Sequence, residues 1–307
     1  MPTPTRRPAA ELPPLPLGEW EDTKTTLHLY LQIVGKVRLA RMPPRNHWWH
    51  VPLYVASRGL TTRAVPYGGG AETFQVDLDL LDHRAVVTTS EGARRSFTLG
   101  LPVADFHREL FAALGELGIE ASIRPEPFDL PFSTPFSEDR EHRAWDPAAV
   151  ERFWRALVWI GAVFEEFAGR FVGKATPVHL FWHSFDLAYS RFSGRPAPGM
   201  EGAGAVAREA YSHEVASFGF WAGDAAVREA TFYSYVWPLP ETLSERPLRP
   251  DAARWVGEGG SLQARMPYEA VRESADPRGT LLDFLESAYE AESEAGGWPA
   301  EELRRGG

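Results

Sequence analysis

The sequence predicts an α+β protein built from two pseudo-repeated halves, each a mainly antiparallel sheet flanked by helices. Three observations carry this expectation. Runs such as ETFQVDLDL and REATFYSYV alternate apolar and polar residues, the two-residue period of a half-buried strand. Amphipathic helical stretches precede and follow each group of strands. The order of these elements then recurs along the chain, with a Val-Gly-Lys unit and an aromatic-histidine unit in each half.

Residues 1–18 are rich in proline, which donates no backbone hydrogen bond and biases its neighbours towards extended shapes, so a loose arm is expected. The first half spans 19–123. Within it, Leu27, Tyr30, Leu31 and Val34 give Thr23 to Leu39 one buried helical face, closed by Pro43 and Pro44. His47 to Ala56 is aromatic and β-branched. Residues 72–99 then read as two antiparallel strands, with a further short strand after the turn at Gly92. Phe106, Leu110, Leu114 and Leu117 mark a helix from Val103 that Gly118 ends.

Residues 124–147 hold repeated prolines and no lasting period, and read as a connecting segment. Asp146 before Pro147 is a plausible cap for the next helix, since an aspartate accepts from free backbone N–H groups and proline suits the first helical position. The second half, 148–299, opens with that helix, from about Ala148 to Phe171, which places Phe153, Leu157, Ile160, Phe164 and Phe167 on one face. Residues 193–207, SGRPAPGMEGAGAVA, read as an inserted loop, either a lid or an ordinary surface excursion. Residues 300–307 read as a loose tail.

The proposed duplication sets Val34-Gly35-Lys36 against Val172-Gly173-Lys174, and Trp48-Trp49-His50 against Phe181-Trp182-His183. TTRAVPYGGG stands opposite SHEVASFGFWAG, and DFHRELFAALGELG opposite LLDFLESAYEAESEAGG.

Composition narrows the function classes. The 307 residues are 44% hydrophobic, enough for one large core or two medium ones, which excludes wholesale disorder. A formal net charge of -10 disfavours general binding to nucleic acid or an anionic membrane. The absence of cysteine removes disulfides, thiolate nucleophiles and sulfur-ligated metals. No apolar run reaches the roughly 20 residues of a membrane-spanning helix, and Met1 to Leu17 lacks the apolar segment of a secretion signal, so a soluble cytoplasmic protein is expected.

In NHWWHVPLYVASRGLTT, VGKATPVHLFWHSFDLAYSRFSG and AYSHEVASFGFW the chain resembles a bacterial family known only as a domain of unknown function. The resemblance runs from about Leu17 through Trp298 and implies one full-length unit. It transfers no catalytic role, so function is argued from the residues.

Nine histidines are present. His50 and His183 occupy corresponding places in the proposed repeat, each beside a tryptophan, and a pseudo-twofold arrangement would bring both to a central cleft. Trp48, Trp49, Phe181 and Trp182 would wall that cleft while the histidines hold the polar part of a ligand. The alternative is an aromatic core in which the histidines only satisfy buried backbone groups. Lys36 and Lys174, two of only three lysines, stand at matched positions and would meet an anion, or else the carbonyls ending a helix.

His179, His183 and Asp186 suit a metal only if the segment is helical, because on a strand the two histidines would lie about 13 Å apart. His213 is a candidate base, although Glu214 beside it would point to the opposite face of a strand. Asp77, Asp79 and Asp82 read as a solvated face, lacking the glycine turn of a calcium loop. No cofactor can be named. The leading expectation is a protein that binds a small anionic or aromatic molecule in a cleft between the halves. A metal-assisted or general acid/base enzyme using histidines, and a homo-oligomeric interaction protein, are the alternatives.

Overall fold

In the computed structural model, which describes residues 12–306, the first half opens with α1 (Glu21–Arg41). The sequence predicts one buried face here. Instead α1 is buried almost without a break from Thr23 to Arg38, wedged among the other helices and the first sheet. Its polar residues are accommodated because the connecting segment docks on them. Gln32 donates to the Phe128 carbonyl at 2.9 Å and accepts from the Phe128 N–H at 2.7 Å. Lys36 donates to the carbonyls of Arg124, at 3.2 Å, and Glu126. Each bond offsets the cost of taking a polar group out of water.

Strands β1 (Tyr54–Ala56), β2 (Gly59–Thr61), β3 (Val65–Tyr67), β4 (Glu72–Asp79), β5 (Arg84–Thr89) and β6 (Arg94–Thr98) form the first antiparallel sheet. Its order is β1-β2-β4-β5-β6, with β3 pairing further along β4. Phe74, Val76 and Leu78 alternate into the core while Gln75, Asp77 and Asp79 face outward, the predicted period. The helix α2 (Val103–Glu116) follows.

After the connecting segment, α3 (Pro147–Gly169) buries the predicted stripe of Phe153, Leu157, Ile160, Phe164 and Phe167. Asp146 caps it, accepting from the Ala148 N–H at 2.9 Å. Asp146→Ala is expected to cost about 1 kcal/mol in urea denaturation, the usual value of a lost N-cap. An unchanged midpoint would show that the proline at the first helical position suffices.

The second sheet contains β7 (His179–Phe181), β8 (Asp186–Pro196), β9 (His213–Trp221), β10 (Thr231–Trp237), β11 (Arg254–Val256) and β12 (Gln263–Pro267), in the order β11-β12-β10-β9-β8-β7. Between β8 and β9 lies α4 (Ala205–Ala210). The chain then closes with α5 (Tyr268–Arg272), α6 (Pro277–Ala295) and α7 (Ala300–Leu303). Each half is therefore an antiparallel sheet flanked by an early and a late helix. The two edge strands meet at reciprocal bonds, Leu53 N–H to the Leu180 carbonyl at 2.9 Å and Leu180 N–H to the Leu53 carbonyl at 2.8 Å.

Three expectations need correction. Of the arm over 1–18, residues 1–11 lie outside the described residues, but Leu12, Leu15 and Leu17 are buried and the Pro13 carbonyl accepts from the Tyr268 hydroxyl. The tail is docked, since Leu303 and Arg305 bond the backbone of Val172 and Arg170. The inserted loop is shorter than 193–207, because Ser193 to Pro196 continue β8 and Ala205 opens α4. Among the described residues no helix is long and apolar enough to cross a membrane.

Candidate functional site

A strand shows its side chains alternately to the two faces of its sheet. On the second sheet Leu187, Tyr189 and Arg191 of β8, with Phe218 and Phe232, face α3 and α6. Asp186, Ser190 and Phe192 face the other way, joined by Val215 and Ser217 of β9, Tyr233 and Tyr235 of β10 and Arg265 of β12. This second face is the floor of a cleft of about 860 Å³.

The cleft is roofed from the first half and the connecting segment. Lys24 and His28 reach it from α1, and Phe128, Asp129 and Leu130 from the connector. A 3-10 turn at Asn46–Trp48 presents His47, Trp48 and Trp49, with α4 closing the remaining side through Val206, Ala207 and Ala210. His47 and Trp48 take left-handed backbone angles, φ 56° and 61°, which disfavour L-residues and mark a turn held by its surroundings. Phe128 and Val206, 55% and 53% exposed, stand as large apolar side chains at the cleft.

Hydrogen bonds hold the polar groups of the floor. Ser184 donates to one oxygen of Asp186 and Tyr233 to the other. Burial pushes the Asp186 carboxyl above the ordinary carboxylate range, although both donors and the nearby His183 pull it back. Burial likewise lowers the His183 imidazole, against the pull of Asp186 and Asp129. Gly219 lies opposite Tyr233 on the neighbouring strand, and a Cβ there would sit 2.2 Å from the ring. Only glycine lets that phenol lie across the sheet to reach Asp186. The Tyr211 and Tyr235 hydroxyls are 3.0 Å apart, as are those of Ser190 and Ser217.

His28 holds the turn that carries His183, its Nε2–H donating to the carbonyls of Trp182 at 3.0 Å and His183 at 3.1 Å. Burial lowers this imidazole to about 3, so it stays neutral. His47 is neutral too, its pKa lowered by burial. The Lys174 ammonium, which can only donate, lies 2.7 Å from His47 Nε2. Nδ1 therefore carries the imidazole proton and donates to the Ala210 carbonyl at 3.1 Å.

The structure divides the sequence candidates. His183, Asp186 and Trp49 line the cleft. Lys174 stands behind it, 5.6 Å from the Trp49 ring centre and 5.1 Å from that of Phe192. His213 packs its ring 5.3 Å from that of His47, and its Nδ1 lies 3.1 Å from the Ser212 hydroxyl. His50 does not line the cleft: it is buried and its Nδ1 accepts from the Arg45 N–H at 3.2 Å. Trp182 is buried as well, donating to the Val51 carbonyl at 3.1 Å. Lys36 is held by the connector, with its ammonium 5.0 Å from the Phe136 ring centre, so the two lysines do not converge.

These departures share a cause. Gly35-Lys36 lies inside α1, whereas Gly173-Lys174 lies beyond the end of α3. Trp49-His50 precedes its edge strand, whereas Trp182-His183 follows its own. The short identities matched in sequence are thus not spatial equivalents. His179 and His183 fall on a strand and the turn after it, and the helical condition for a shared metal is not met. His179 is enclosed, its imidazole lowered by burial to about 3. Among the described residues no group of three or more histidine, aspartate or glutamate side chains is placed to hold a metal ion.

Tyr233 and Tyr235 were not singled out by the sequence. Their signal was the i, i+2 spacing in TFYSYV, which puts both on one face of a strand.

The model of the Family of unknown function (DUF5996) matches residues 12–305, and the chain belongs to that family. No curated protein and no solved structure matches it.

Proposed function

We propose that this DUF5996 member is a small-molecule-binding protein whose ligand, a planar aromatic compound bearing an amine or other hydrogen-bonding group, occupies the cleft on the second sheet. The observation that carries this reading is the cleft's composition. Trp48, Trp49, Phe181, Phe185, Phe192 and Trp221 supply ring faces, while Asp186, Tyr233, His183 and Ser184 stand together on the polar side. The lining carboxyls Asp129 and Asp224 match the lining cations Lys24 and Arg265 in number, Asp186 adds a further acceptor, and Lys36 and Lys174 are engaged elsewhere. That balance favours a neutral or cationic ligand over an anionic one.

Titration of aromatic amines and size-matched aromatic carboxylates, followed by tryptophan fluorescence, tests the reading. Amines are expected to bind at least tenfold more tightly. Trp49→Ala should weaken them about tenfold, since a ring contact is worth about 1 kcal/mol or more beyond its buried area. Ala207→Trp, which fills the cleft, should abolish binding. Equal affinity for carboxylates, or unchanged binding in Ala207→Trp, would remove the proposal.

A second reading rests on Asp186 and His183, a carboxyl raised and an imidazole lowered within one site, so that a protonated acid and a neutral base can stand together for general acid/base chemistry. The Ser184 hydroxyl donates to Asp186 and so helps to position that carboxyl. Chromatography of bound compounds after incubation should then show products that Asp186→Ala does not form.

A further inference from the structure

On the face of the second sheet turned away from the cleft, Arg191 is 1% exposed. Its guanidinium lies 3.5 Å from the Phe167 ring centre and 4.4 Å from that of Tyr289, and Nη2 donates to the Phe167 carbonyl at 2.5 Å. Its Nε has no acceptor among the described residues, and the buried Tyr289 hydroxyl has no partner either. A guanidinium stays charged at any ordinary pH, so burying it without an anion is costly. No neighbouring carboxylate supplies that anion. Burial pushes the Glu292 carboxyl up to about 8, leaving it largely neutral at pH 7. Glu286 and Glu290 are already paired with Arg170 and Arg249.

Arg191 and Tyr289 line a cavity of about 340 Å³ together with Arg170 and the two carboxylates just named, Glu286 and Glu290, and its rim carries Arg304 and Arg305 from the C-terminal segment. Among the described residues neither rim arginine forms an ion pair, nor does Arg191. Three guanidinium groups without an ion-pair partner and a free phenol thus converge on one space, where the two lining carboxylates are already paired with other arginines. We infer that this cavity is a second ligand site, built for a phosphate monoester. A dianion answers several guanidinium groups at once, and its oxygens accept from planar forks and from a tyrosine hydroxyl. The five heavy atoms of a phosphate fill less than half the volume at about 30 Å³ for each water-sized atom, leaving room for the esterified group.

Isothermal titration at matched ionic strength with phenyl phosphate, inorganic phosphate and benzoate tests this. Phenyl phosphate is expected to bind saturably, more tightly than inorganic phosphate and at least tenfold more tightly than benzoate. The double variant Arg304→Ala/Arg305→Ala, altered only at exposed positions, should lose at least tenfold in affinity, and Tyr289→Phe should lose several-fold. Trp49→Ala should leave it unchanged, which separates this site from the cleft. The inference is overturned by absent saturation, by benzoate or inorganic phosphate binding as well as the ester, by unchanged affinity in the double variant, or by loss of binding in Trp49→Ala.

Discussion

Gly35→Ala is expected to destabilise the fold by about 1–3 kcal/mol, although alanine is the better helix former by about 1 kcal/mol in a helix interior. The sign is decided by tertiary contact. A Cβ at Gly35 would lie 2.2 Å from the Trp182 indole, a buried ring that also donates to the Val51 carbonyl. The helix and the turn after β7 would have to separate, or the ring to leave its place. Gly161→Ala is the control, since a Cβ there meets nothing within 4 Å, and a gain of about 0.5–1 kcal/mol is expected. Urea denaturation of both variants compares the effects directly. Because Trp182 adjoins His183, Gly35→Ala should also weaken any ligand in the cleft. Two variants of equal sign would show that the helix–indole packing does not govern stability.

Glu292→Gln is expected to stabilise the protein by on the order of 3 kcal/mol at pH 7. Glu292 is wholly buried, accepts from the Ser234 hydroxyl at 2.6 Å, and is pushed by burial from an ordinary 4.5 to about 8. The folded protein therefore holds a proton that the unfolded chain releases above about pH 4.5. Stability contributed by the neutral carboxyl is fully present below that pH and is lost as pH rises towards 8, at about 1.4 kcal/mol per pH unit. Glutamine is the uncharged counterpart, keeps the bond from Ser234 and removes the slope. Denaturation at pH 5 and pH 8 should show wild type losing stability relative to the variant. Parallel pH dependence of the two would mean that Arg191 keeps the carboxylate charged in the fold.

Much of the architecture was legible because it follows from period. The alternation of Phe74, Val76 and Leu78, the stripe from Phe153 to Phe167 and the Asp146-Pro147 start are each read over a few residues. The burial of α1 was not. Its outward side carries Lys24, His28, Gln32 and Lys36, which reads as solvated until the connector supplies backbone partners to Gln32 and Lys36 some 90 positions away and the turn after β7 supplies those of His28. The loose reading of residues 12–18 failed similarly, since proline content excludes regular hydrogen bonding but does not prevent Leu12, Leu15 and Leu17 from packing.

Of the cleft, Trp48, Trp49, Phe181, His183 and Asp186 were visible in the sequence, while His50, Trp182 and Lys36 were placed there by matching short identities between the halves. The sequence by itself determined the strand and helix periods, the repeated order of elements and the exclusion of thiol chemistry. Only the tertiary structure decided which polar groups share a cavity. Lys174 meets His47 across 127 positions, and Tyr233 meets Asp186 only because Gly219 leaves the intervening strand bare. Periodicity reports which side of an element is buried, whereas partnership depends on where two sheets dock, which no local spacing encodes.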